Sequence, residues 1–169
     1  MRIPLLLVGL VLAAGVTTPA SADAASVPVA GTWQAIAPAI ITSFDPSAAN
    51  PTKGKFTAVG STLWRGDWTG VTTYSMRGTV DLVTSASDGT LDETFTGRAA
   101  GRGAGTLRLT ETFTLDTAGN LAICTRIVAG SGDFAGSRGR VDFVGQTISI
   151  ATGSGTYQGR WTQPRGSGR

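Results

Sequence analysis

Over residues 105–116 the chain alternates with a period of two. Leu107, Leu109, Glu111, Phe113 and Leu115 take the odd positions; Thr106, Arg108, Thr110, Thr112 and Thr114 take the even ones. Successive side chains of a β-strand point to opposite faces, so this segment has one apolar face and one polar face. A helix does not fit the pattern, because its apolar positions recur every three to four residues. The alternation returns over residues 90–98, where Leu91, Glu93 and Phe95 stand opposite Asp92, Thr94 and Thr96. Over residues 68–83 the even face holds Trp68, Tyr74, Met76, Val80 and Leu82. Short runs of Thr, Val, Phe and Trp alternate with glycine, 24 in all. Many short strands with frequent turns define a sandwich or a barrel.

The expected strands are 32–42, 55–64, 68–83, 90–98, 105–116, 121–129, 138–144, 147–151 and 156–162. Residues 43–55, with Pro46, Asn50, Pro51 and Gly54, read as a loop. Asp88-Gly89 reads as a tight turn between two strands, and 117–120 as another. The strands follow one another through short links, and closing the sheet removes the edges that a long Val/Thr-rich sheet would expose. The expectation is therefore an all-β, closed antiparallel barrel of roughly eight strands.

Residues 1–22 read as a signal peptide cleaved on export. Arg2 is its positive end, residues 3–16 are an almost unbroken apolar run, and Ala20-Ser21-Ala22 is a small-x-small cleavage pattern. The run is short of the roughly 20 residues that span a bilayer. Residues 23–30 are then the mature N-terminal segment, 31–163 the barrel and 164–169 a basic tail. The expected location is extracellular, with no membrane attachment after cleavage. A domain of about 150 residues buries roughly 70% of its unfolded surface and needs no disulfide. Cys124 is the only cysteine and lies in an apolar run, so it reads as a small buried hydrophobe.

Composition also removes functions. The chain has no histidine, which rules out a His-based triad and an imidazole acid–base catalyst. One cysteine without histidine makes no ordinary zinc site, and no metal or other cofactor is expected. The net charge of +3 comes without a Lys/Arg cluster, so no nucleic-acid partner is expected. A homo-oligomer is compatible with everything above.

One internal repeat stands out: residues 130–136 read GSGDFAG and residues 153–159 read GSGTYQG. Two similar glycine-rich barrel corners, each with an aromatic folded inward, account for it. Neither copy is a phosphate loop. Residues 127–139, containing the first copy, resemble the G-[S/T]-G-x-[F/L]-x-G-x-x-G hairpin of the allene oxide cyclase and dirigent barrels. They are closer to a bacterial branch of that superfamily described only as a domain of unknown function. Trp64-Arg65-Gly66-Asp67-Trp68-Thr69-Gly70 resembles that branch's aromatic-x-G-D-x-x-G turn, and Glu93-Thr94-Phe95-Thr96-Gly97 with residues 101–107 resembles a further segment of it. The resemblance covers roughly residues 31–162 and implies an eight-stranded barrel with an apolar interior. In the plant cyclases that interior holds a fatty-acid epoxide, and in dirigent proteins it orients phenolic radicals. Neither substrate carries over, because fold does not fix function. In the bacterial branch the position matching Glu111 is often a histidine, which this chain lacks.

The residues themselves point to Glu93 and Glu111. If their strands form a hairpin around residues 101–103, the two carboxyls lie opposite or diagonal to one another on the apolar face. Burial and mutual repulsion then raise a pKa, and one acid can donate while the other accepts. The alternatives are that a lumenal arginine pairs with them, with Arg126, Arg108 or Arg138 as candidates, or that one acid reaches water at the barrel mouth. Trp64, Trp68 and Tyr74, with Phe95, Phe113 and Arg126, are the candidate pocket residues; plain core packing is the alternative for each aromatic. Three functions follow: a binding barrel for a small, largely apolar ligand; a cofactor-free cyclase or isomerase with Glu93 and Glu111 as acid and base; or a structural or interaction protein with a filled core.

Overall fold

The computed structural model describes residues 26–149 and 152–162. The expected signal peptide and basic tail lie outside the described residues. Nine strands follow in order: β1 (Ser26–Ala35), β2 (Ile40–Ser47), β3 (Asn50–Gly66), β4 (Trp68–Asp81), β5 (Ser87–Ala99), β6 (Ala104–Leu115), β7 (Asn120–Gly132), β8 (Arg138–Ser149) and β9 (Thr152–Thr162). All pairings are antiparallel, in the order β1-β9-β8-β7-β6-β5-β4-β3-β2. A further pairing of β1 with β3, from Gly31↔Gly66 to Ala35↔Thr62, closes the sheet into an eight-stranded barrel. β2 is the extra strand. It continues along β3 from Ile40↔Val59, so β1 and β2 share one long partner on either side of a break at residues 36–39.

Five expectations from sequence are corrected. The single strand expected over 32–42 is broken at residues 36–39 and divided between β1 and β2. Residues 43–55 are not a loop but most of a hairpin, because Pro46 sits on β2, which pairs on one side only and needs no second donor row. Asp88-Gly89 is not a turn but part of β5. The turn lies at residues 82–86, where the Asp81 carboxylate accepts from the backbone N–H of Val83 and Thr84. Gly89 is needed instead for close approach, since a Cβ there would collide with the Arg77 carbonyl and Gly78 across the ladder. The expected strands at 138–144 and 147–151 are one strand, β8, up to Ser149. Cys124 is half-buried on the outer face, between Thr112 and Asp142 on the neighbouring strands.

The two GSG copies also part ways. The first does turn a corner, with Gly132 and Gly136 at positive φ, and Phe134 folds over Gly105 and Gly130. The second lies inside β9, where Gly155 makes room for Trp33, while Tyr157 lies over Gly31 and Gly66 on the two strands that close the barrel. The Tyr157 hydroxyl accepts from Trp68 N–H at 2.9 Å and donates to Trp68 C=O at 3.0 Å, tying β9 to β4.

The core has two parts. At the end with the β3–β4, β5–β6 and β7–β8 turns, Trp64, Trp68, Phe95, Phe134, Tyr157 and Trp161 pack ring against ring at centroid separations of 5.1–6.2 Å. At the other end a smaller cluster of Phe56, Ala58, Val80, Leu91 and Phe113 is joined by the half-buried Tyr74, Met76, Leu121 and Ile123. The candidate site lies between them.

Candidate functional site

Glu93 and Glu111 are on β5 and β6, joined by the short turn after Ala99. The register sets Glu93 opposite Leu109 and Leu91 opposite Glu111, so the two acids are diagonal neighbours on the inner face. Both are buried, at 7% and 5% exposure. Glu111 Oε1 accepts from Thr125 Oγ1 at 2.8 Å. Glu93 has Glu111, Thr72 and Thr62 as its polar neighbours. Thr62 and Thr72 join each other at 2.6 Å, and Trp64 Nε1 donates to Thr62 Oγ1 at 2.9 Å.

Burial raises both carboxyls above their ordinary value of 4.5, Glu111 well above it. Glu93 adds to the rise at Glu111 through its charge and through the hydrogen bond that it accepts. The same bond, with those from Thr72 and Thr62, favours the charged form of Glu93. The pair therefore holds a proton to higher pH than a free glutamate, and the neighbouring Glu93 charge raises Glu111 the more. Tyr74, opposite Glu93 in the ladder, is pushed up to about 12 by burial and then by the Glu93 charge.

A cavity of about 70 Å³ adjoins the pair. Its walls are apolar and aromatic, with Trp33, Trp64, Leu91, Phe113, Ile123 and Phe143 among them. Ala35, Tyr74, Met76, Leu121 and Ile123 line it and are only half-buried, so the cavity has a solvent-facing side at the less crowded end of the barrel.

The structure distributes the sequence candidates unevenly. Glu93, Glu111, Trp64, Tyr74 and Phe113 come together around this cavity. Trp68 and Phe95 do not line it; both are completely buried in the packed end. Arg126 is a correction. It stands exposed on the outer face, because Thr125 and Ile127 take the inward positions of β7 on either side of it. Arg108 and Arg138 are exposed too, so among the described residues no arginine pairs with the acids. Sequence reasoning missed Thr62, Thr72 and Thr125, whose hydroxyls serve the acids in place of an arginine. Inward parity beside Trp64, Tyr74 and Ile127 was the signal that could have found them.

The fold and site together define a closed antiparallel barrel with a buried acid pair beside an apolar cavity. No family model matches the chain, and no curated protein does. Among solved structures the chain is similar to a protein of unknown function from the DUF3224 family of Shewanella oneidensis MR-1, with a TM-score of 0.62 and 13% identity over 83% of this chain and 99% of that one. At that identity the likeness is one of fold.

Proposed function

We propose that this barrel is an exported binding protein that takes the head of a small, largely apolar ligand into its lumen. The observation that carries the reading is the acid pair: two buried carboxyls facing an otherwise apolar space, with threonine hydroxyls and each other as partners. A core built only for stability gains little from such groups, since buried charge costs free energy that apolar packing avoids. The cavity of about 70 Å³ is smaller than the roughly 150 Å³ that admits benzene, so it receives one end of a ligand. The rest lies along the half-buried rim, where the unbranched Met76 can move aside. Export rests on Arg2, the apolar run that follows and Ala20-Ser21-Ala22.

The arrangement of the pair favours a second reading, a cofactor-free cyclase or isomerase. A protonated Glu111 beside an ionised Glu93 is an acid and a base within reach of one ligand.

Thermal melts with a panel of small apolar alcohols, amides and amines test the proposal. A lumen ligand at 100 times its Kd adds about 2.7 kcal/mol and raises the Tm. Glu93→Gln and Glu111→Gln then separate the readings: lost turnover with retained binding identifies an enzyme. A Tm that no ligand raises leaves a filled-core interaction protein and defeats both.

A further inference from the structure

Both acids lack a cationic partner. Every described lysine and arginine is exposed, and none lines the cavity. Ionisation of the Glu93–Glu111 pair therefore places charge in a low-dielectric space with no cation among the described residues to offset it.

The hydrogen-bond inventory shows the same shortfall. An ionised carboxylate offers about four acceptor sites. Around Glu93 the donors are the Glu111 proton and the hydroxyls of Thr72 and Thr62. Those two threonines also share a bond with each other, so one of their two protons is spent between them. At most two protons from the described residues can then reach Glu93, so an ionised Glu93 has acceptor capacity left over.

A second polar atom in the same cavity is also unsatisfied. Ser87 is 6% exposed, lines the cavity and has no hydrogen-bond partner for its Oγ among the described residues. It lies on the inner face of β5, six positions before Glu93, a rise of about 20 Å at the usual strand spacing. Leu91 lies between them on that face.

We infer that the ligand's head is an organic ammonium group, seated at Glu93 and Glu111, on a slender chain that runs along β5 past Leu91 toward the free hydroxyl of Ser87. This rests on the lumen-binding reading and names its ligand class. An ammonium brings the charge that the pair lacks and the donors that Glu93 can still accept. The rings of Trp64, Tyr74, Phe113 and Phe143 around the same space favour a cation over their faces. A carboxylate head would meet like charge at Glu93. An inorganic cation is poorly matched: calcium takes six to eight oxygens, and the described residues hold no group of three or more acidic, His or Cys side chains.

The test compares linear amines, alcohols and carboxylates of four to ten carbons, titrated calorimetrically into the intact protein at neutral pH and repeated at high salt. At matched chain length the amine is expected to bind at least tenfold more tightly than the alcohol, and the carboxylate not to bind. Glu93→Gln is expected to remove that preference while the alcohol still binds, which also shows that the variant is folded. Ser87→Ala is expected to weaken a terminal amino alcohol, titrated beside the simple amines, and to leave the simple amines unchanged; an amino alcohol unaffected by Ser87→Ala overturns the path toward Ser87. An alcohol that binds as well as the amine overturns the head-group assignment and leaves lumen binding standing. So does an amine preference that survives Glu93→Gln or disappears at high salt, since it then reports surface charge. No binding by any probe, together with no Tm shift from the thermal-melt panel, defeats the lumen reading as well.

Discussion

Raising the pH above about 4.5 lowers the stability of this protein, and Glu111→Gln reduces that loss. In the unfolded chain a glutamate gives up its proton near 4.5, whereas burial holds the proton on Glu111 in the fold to a pH well above that. Between those two points the native state binds more protons than the unfolded state. Stability then falls by about 1.4 kcal/mol per pH unit for one such group. The contribution is fully present below 4.5 and is lost as pH rises toward the folded pKa of Glu111. Glu93, raised for the same reason, acts in the same direction. The glutamine amide still donates to Glu93 and has no proton to lose. The variant is therefore expected to exceed the parent in stability at neutral pH, by a margin that grows until the parent's Glu111 ionises. Urea denaturation across pH, read by circular dichroism, measures this. A variant less stable than the parent with an unchanged pH slope means that Glu111 is already ionised in the fold. Asp81 and Asp116 have the opposite sign: their carboxyls are lowered by backbone and side-chain hydrogen bonds, so their contributions disappear only as pH falls below 3.8. Tyr74 and Tyr157, pushed up to about 12 from 10.0, add a loss of stability only above pH 10.

Trp64→Ala is expected to cost about 3–5 kcal/mol, the range for truncating a buried aromatic. Trp64 is 1% exposed and joins the two halves of the interior. Its ring stacks on Trp68 at 5.7 Å and meets Phe95, Phe143 and Tyr157 at 5.1, 4.8 and 5.3 Å. Its Nε1 also fixes Thr62, which serves Glu93. Trp64→Phe keeps a ring and is expected to lose less, while Val83→Ala on an exposed turn stays within about 0.5 kcal/mol. The comparison is made by urea denaturation at a pH below 4.5, where the acids are protonated and packing is read alone. A cost for Trp64→Ala as small as that of Val83→Ala would mean that the aromatic stack does not hold the barrel together.

How much of this was legible follows from strand periodicity. The inward placement of Glu93 and Glu111 could be read directly, because both strands alternate strictly and the residues flanking each acid are large. Their diagonal offset could not. Register is set by the turn after Ala99, and a one-residue slip there changes every partner. The inward threonines were hidden by their own abundance, since Thr also fills the outward positions of β5 and β6. Residues 43–55 read as a loop because proline removes a ladder donor, whereas a strand paired on one side tolerates it. Asp88-Gly89 failed because glycine serves equally for a turn and for backbone close approach, and only the neighbouring Gly78 distinguishes them. The nine-stranded order, with β1 and β2 dividing β3 between them, depends on the break at residues 36–39, which no periodic signal marks.

Occupation of the space beside the acid pair is tested most directly by methyl-resolved NMR during ligand titration. Leu91, Leu121 and Ile123 report from the cavity wall, and Val59, Val71 and Val144 report from the outer surface. A binding alcohol or amine is expected to move the first three resonances, and Ala35→Phe, which fills the cavity from β1, to abolish the change. Shifts confined to the outer valines, or unaffected by Ala35→Phe, would contradict that occupation.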